Sequence, residues 1–154
     1  MNVQTQQKQG FTIIEVVLVL AIAALIFLMV FLAFPALQRN QKDQQRRTDI
    51  GRFVSQMSQY QTNTSGSVPA NQNALNTFVS SYLRSGGDTF KDPDSGNDYT
   101  VSLATPTNPA LGTIYYMNNA KCNSAGNGFV SGAGSRKMAV LTKLQSSGTY
   151  CQSN

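Results

Sequence analysis

The 154-residue sequence contains no histidine and only two cysteines, and Glu15 is its one glutamate. Without histidine, serine–histidine triads, histidine-bearing zinc centres and histidine general-base chemistry are excluded. The two cysteines, Cys122 and Cys151, are too few for a metal cluster. In an exported chain they read as a disulfide, and the alternative is a pair of unbonded thiols. Serines and lysines are plentiful, but no nucleophile–base pair is recognisable. The expectation is therefore a protein that is not an enzyme and uses no cofactor. Charge is also sparse: 12 basic against 7 acidic side chains give a net of +5. Over residues 63–154 the balance is Arg84, Lys91, Lys121, Arg136, Lys137 and Lys143 against Asp88, Asp92, Asp94 and Asp98, a net of +2. That permits weak attraction to DNA or an anionic surface without marking a nucleic-acid reader.

What the sequence does have is one long apolar run. From Val16 to Leu37 no charged or amide side chain occurs, and Pro35 is the one helix breaker. As a helix this stretch would span about 33 Å, enough for a bilayer core of roughly 30 Å. It is too long for the apolar region of an ordinary secretory signal, and Phe34-Pro35-Ala36 is a poor cleavage context. Retention of the helix is expected. Glu15 stands at its start; a carboxylate costs on the order of 2–3 kcal/mol near mid-bilayer and less toward an interface. It reads as an interfacial residue of a signal anchor, as a first-turn acid favoured by the helix dipole, or as a fixture of a processed helix.

The flanking residues favour the last. Lys8-Gln9-Gly10 followed by Phe11-Thr12-Ile13-Ile14-Glu15 resembles the class III signal of the type IV pilin superfamily. In that family a polar leader ends in glycine, and a membrane-embedded prepilin peptidase cuts after it. The new terminal phenylalanine is N-methylated, and a glutamate follows at the fifth mature position. The resemblance assigns cleavage to Gly10 and Phe11, N-methylation to Phe11 and a role in assembly to Glu15.

The segment 38–60 contains no proline and a single glycine, Gly51. Its first half is polar, with Arg39, Lys42, Arg46 and Arg47 against Asp43 and Asp49. Its second half carries Ile50, Phe53, Val54 and Met57, the i, i+3, i+4, i+7 stripe of a helix with one buried face. One helix passing from lipid to water to a protein core is predicted. Four bases follow the apolar run and only Lys8 precedes it, so the positive-inside rule alone would keep the C-terminal side in the cytoplasm. The resemblance implies the opposite orientation.

Residues 62–72 read as a loop, and Asn73 is placed as the cap of a short helix bearing Leu75, Phe78, Val79, Tyr82 and Leu83, stopped at Gly86-Gly87. Strand-like stretches follow at 99–103, 112–117 and 137–144, with 149–151 as a short terminal strand. The glycine- and serine-rich residues 124–135 read as a separator. The fold class expected is α+β: a long N-terminal stem helix, transmembrane and then amphipathic, packed on a small antiparallel sheet. This order also resembles the pilin fold. The divisions are a leader at 1–10, a transmembrane and stem helix at 11–62, and a globular head at 63–154.

Many type IV pilins carry a disulfide-bounded C-terminal loop, and Cys122 and Cys151 match it in position. A second, looser resemblance lies at Lys91-Asp-Pro-Asp-Ser-Gly-Asn-Asp-Tyr99, similar to a turn of major pseudopilins of type II secretion near which calcium is bound. Asp92, Asp94 and Asp98 supply the hard oxygens calcium takes. Asp-Pro and Gly-Asn are equally turn residues in their own right, and no metal is assigned. The chain departs from many pilin stems at Leu32, where they have a second proline, and at Ala24, where they have a glycine.

The resemblance implies a structural subunit of an extracellular type IV pilus-like filament. Its partners would be other pilin subunits, the prepilin peptidase/methyltransferase, an inner-membrane assembly platform and, before assembly, the membrane itself as a single-pass protein. Alternatives are a pseudopilin of a type II secretion or DNA-uptake machine, and a basic minor pilin that binds DNA or surfaces.

Overall fold

A computed structural model describes residues 10–87, 89–146 and 148–154. The leader residues 1–9 and Asp88 lie outside the described residues. The chain divides into two units, one up to Leu37 and one from Gln38 to Asn154. The helix α1 (Ile13–Asn63) contributes to both and continues through Pro35.

In the first unit the large apolar side chains from Ile13 to Leu37 are all exposed. The helix is long and apolar enough to cross a membrane, with a mean hydropathy of 3.3 over its most apolar window. A helix that is apolar all round and uncovered by its own chain needs lipid or other helices around it.

In the second unit α1 supplies one side of a core. Ile50, Phe53 and Met57 are fully buried and Val54 is partly so. The loop after α1 turns at Ser65 and Gly66, both at positive φ, where the Gly66 amide donates to the Gln61 carbonyl at 2.7 Å. Glycine suits this position because of its φ; a side chain there would also meet the Arg136 guanidinium at 2.8 Å and have to displace it. The short helix α2 (Gln72–Phe78) is capped by Asn71, not Asn73: Asn71 has extended backbone, and its side chain accepts from the Ala74 amide. Only the residue outside the first turn has the backbone geometry for that bond. A π-helical turn, Val79–Leu83, continues α2. It brings Phe78 and Tyr82 into a stack at 5.5 Å, with Tyr60 and Phe53 edge-on to Phe78.

The main sheet has four strands in the order β1 (Thr100–Leu103), β2 (Thr113–Asn118), β5 (Met138–Lys143), β6 (Thr149–Ser153). It is open and not barrelled, and is antiparallel except at its first pair. There β1 and β2 run parallel, Thr100 opposite Thr113 and Leu103 opposite Tyr116, which corrects the expected all-antiparallel sheet. Parallel pairing usually requires a long crossover. A four-residue strand is only ~13 Å long, however, and residues 104–112, bent by Pro106 and Pro109, suffice to carry the chain back to its start. The free edge of β1 is covered by side chains: Gln72 donates to the Val101 carbonyl and accepts from the Leu103 amide, both at 2.8 Å. Edge groups satisfied in this way do not recruit another strand there.

A second correction concerns residues 124–135. They are not a plain separator, because β3 (Ala120–Cys122) and β4 (Phe129–Ser131) form a two-stranded hairpin across them. The chain leaves β2 for β3 at Asn119, which holds positive φ, a conformation asparagine tolerates better than most side chains. The hairpin covers the face of the sheet away from α1. Ile114, Tyr116, Met138 and Val140 point to the helix side, whereas Ala139, Leu141 and Cys151 pack with Ala120 and Phe129 on the hairpin side. β5 is therefore buried on both faces, which explains its unbroken Met-Ala-Val-Leu run.

Candidate functional site

The expected processing residues lie at the start of α1. Gly10, Phe11 and Thr12 precede the first helical turn, and the Phe11 side chain is 91% exposed. Apart from its chain neighbours, no described residue comes within 4 Å of where a side chain at Gly10 would begin, and Gly10 and Phe11 are both exposed. Thr12 is the N-cap. Its amide and hydroxyl both donate to Glu15 Oε2 at 2.9 Å, and the Glu15 amide donates back to the Thr12 hydroxyl at 3.4 Å. This reciprocal pair is a capping box, which satisfies donors that every helix start leaves unpaired. The Thr-x-x-Glu spacing carried this signal in the sequence.

Cys122, at the end of β3, and Cys151, in β6, are joined in a disulfide with their Cα atoms 5.8 Å apart. The bond ties the hairpin to the edge of the main sheet, and the Cys151 amide reinforces it by donating to the Gly126 carbonyl at 2.9 Å.

The third feature is a buried ionic junction in which the expected water-facing part of the stem takes part. Asp43, Arg46 and Asp49 are buried, the Arg46 side chain completely. One face of the polar half of the segment 38–60 is thus core, while Gln38, Arg39, Gln41, Gln44, Gln45, Arg47 and Thr48 stay exposed. Arg46 Nε donates to Asp92 Oδ1 at 2.7 Å, and Nη1 donates to Asp43 Oδ1 at 3.1 Å. Asp43 also accepts from the Gln145 and Ser146 amides and the Ser146 hydroxyl. Asp92 Oδ2 accepts from the Asp94 and Ser95 amides. Burial works against ionisation of Asp43 and Asp92. The hydrogen bonds from Ser146 and Gln145 to the first, and the Arg46 bond to the second, outweigh it and hold both carboxyls below their ordinary value. Burial likewise opposes the Arg46 charge, yet Asp92 and Asp43 leave its pKa raised. Asp49 differs: burial pushes its carboxyl up despite hydrogen bonds from the Tyr99 hydroxyl at 2.9 Å and from Gln45.

The carboxylates of the acidic turn do not converge. Asp92 faces Arg46, Asp94 faces Lys42, and Asp98 lies 3.6 Å from Arg84. Among the described residues no group of three or more potential metal ligands is assembled. The turn closes instead on its own backbone, with the Asp92 amide donating to Asn97 and the Gly96 amide to Asp92, both at 2.9 Å. The residues present do not fit a calcium ion.

Residues 5–31 match the prokaryotic N-terminal methylation motif. No curated protein and no solved structure matches the chain. The matched span includes Gly10, Phe11, Thr12 and Glu15 and the apolar run as far as Phe31.

Proposed function

We propose that this chain, which carries the N-terminal class III signal and methylation motif characteristic of type IV pilins and related pseudopilins, is a structural subunit of an extracellular pilus-like filament. The motif implies processing by a prepilin peptidase/methyltransferase. The fold has the general pilin architecture, a long N-terminal helix packed against a small open sheet. The observation that carries the reading is the motif running into an apolar helix whose large side chains no other described residue covers.

In this reading residues 1–10 are removed, 11–62 form the stem and 63–154 the head. The subunit waits in the membrane as a single-pass protein and leaves it by packing stem against stem, fed by an inner-membrane assembly platform. The new Phe11 amine, methylated, and the Glu15 carboxylate of a neighbouring subunit compensate each other in an apolar setting. Removing either partner of such a pair strands the other, at roughly 3–5 kcal/mol, which suits a step that selects correctly registered subunits. The role is structural, not catalytic.

The test is mass spectrometry of the mature N-terminus in material sheared from cells. N-methylated Phe11 is expected. An intact Met1, or a terminus elsewhere, refutes the reading. A pseudopilin of a secretion or DNA-uptake machine would share this terminus but form a short envelope-spanning filament. A minor pilin with a DNA- or surface-binding role would show salt-sensitive retention by the head.

A further inference from the structure

The acidic turn Lys91–Tyr99 has the carboxylates of a cation-binding loop, and the junction shows what neutralises them. Asp92 and Asp43 come from segments far apart in sequence, yet both carboxylates rest on one guanidinium. Each of their oxygens is engaged: Asp92 by Arg46 and two turn amides, Asp43 by Arg46, two amides and a hydroxyl. Arg46 Nη2, by contrast, is buried with no acceptor among the described residues. The centre therefore lacks an acceptor and has no unmet demand for a cation. A divalent ion brought to these carboxylates would have to displace backbone donors while facing a fixed positive charge in a medium of low dielectric.

We infer that Arg46 is the resident counter-cation of this junction, a tethered charge in the place where such a loop would otherwise recruit a divalent metal. The head is then independent of free calcium. The same guanidinium fastens the acidic turn to α1 through Asp92, and it compensates Asp43, the α1 carboxylate to which Gln145 and Ser146 of the β5–β6 loop donate. Arginine suits the task because its planar fork presents donors along two directions at once and it does not deprotonate. Lysine offers a point charge and would hold the two carboxylates less well.

The experiment follows thermal unfolding of the head by near-ultraviolet tyrosine dichroism, using the full chain in detergent. Millimolar calcium and excess EGTA should give the wild-type chain midpoints that agree within about 1 °C. A saturable calcium-dependent rise of ~4 °C or more overturns the inference, because ligand binding to the folded state must raise its midpoint. In EGTA, Arg46→Gln should lower the midpoint by roughly 10 °C or more, and the double change Arg46→Gln/Asp92→Asn should recover part of that loss, since no carboxylate is then stranded at Asp92. A double variant as unstable as the sum of its parts, or unfolded, would assign Arg46 a packing role and defeat the inference. Should Arg46→Gln alone fail to fold, a folded double variant supports the inference and an unfolded one overturns it.

Discussion

The two halves of α1 follow one another in a single helix but obey opposite rules. From Ile13 to Leu37 the side chains are apolar except for Glu15, and the large apolar ones are all exposed. From Asp43 onward the helix alternates buried and exposed positions, and the buried ones are Asp43, Arg46, Asp49, Ile50, Phe53 and Met57. The first half has no preferred face within its own chain, so its partners must come from outside. The second half has one face committed to its own head. The difference teaches that a substitution should be judged by which half it falls in, since identical chemistry has different consequences in each.

The sharpest form of that comparison is a pair of truncations. Phe53→Ala removes a ring packed on Phe78 and Tyr116 and should cost the head about 3–5 kcal/mol in denaturant unfolding. Phe27→Ala, in the exposed half, should leave head unfolding unchanged. Equal losses from the two would break the comparison. Asp92→Asn should follow at roughly 3–5 kcal/mol, because it leaves Arg46 undercompensated in a buried site. Reduction of Cys122–Cys151 should cost about 3–4 kcal/mol in the chain-entropy account, loosening the hairpin and β6 while the helical signal of α1 persists.

Acid separates carboxylates that look alike in sequence. The folded-state pKa values of Asp43 and Asp92 are lowered. Their contribution is thus complete above the unfolded value of about 3.9 and is lost as pH falls through the lowered folded values. Asp49 is raised, so its contribution is complete below about 3.9 and is lost as pH rises through its folded value. Asp49→Asn should consequently leave head stability at neutral pH undiminished, while Asp92→Asn diminishes it; unfolding of both variants across pH checks the contrast. The smallest effect expected is from Thr12→Ala, about 1 kcal/mol of local helix-start stability, visible as faster amide exchange over residues 13–16 and not in head unfolding.

The buried junction shows why one part of the fold was legible and another was not. Asp43, Arg46, Ile50, Phe53 and Met57 fall at successive spacings of three and four, a continuous buried stripe. Its C-terminal part is written in apolar residues and can be read directly. Its first two positions are charged, and their burial is possible only because Asp92, Gln145 and Ser146 arrive from elsewhere in the chain, which no local pattern announces. The parallel setting of β1 on β2 was hidden for a similar reason, since alternation along a strand does not encode the direction of its neighbour. The β3–β4 hairpin was obscured by three-residue strands in glycine-rich sequence, although Cys122 beside it marked the region as held. At the N-terminus almost everything is local, so the Gly10-Phe11 junction and Glu15 could be proposed from the resemblance of a few adjacent residues to a family signal; the Thr12–Glu15 capping box was equally present there and went unread.

That capping box also shapes the most direct test of the filament role. Glu15 caps its own helix in the single chain, so replacing it with alanine would remove a cap and a charge together. Glu15→Gln keeps a side chain able to complete the capping box and removes only the charge that would meet a neighbour's Phe11 amine. The measurement is fibre abundance from cells in which Glu15→Gln is the sole subunit, alongside the processing state of the membrane pool. The account predicts normal cleavage after Gly10, processed subunit accumulating in the membrane, and few or no fibres. Fibres at wild-type abundance from these cells would contradict it.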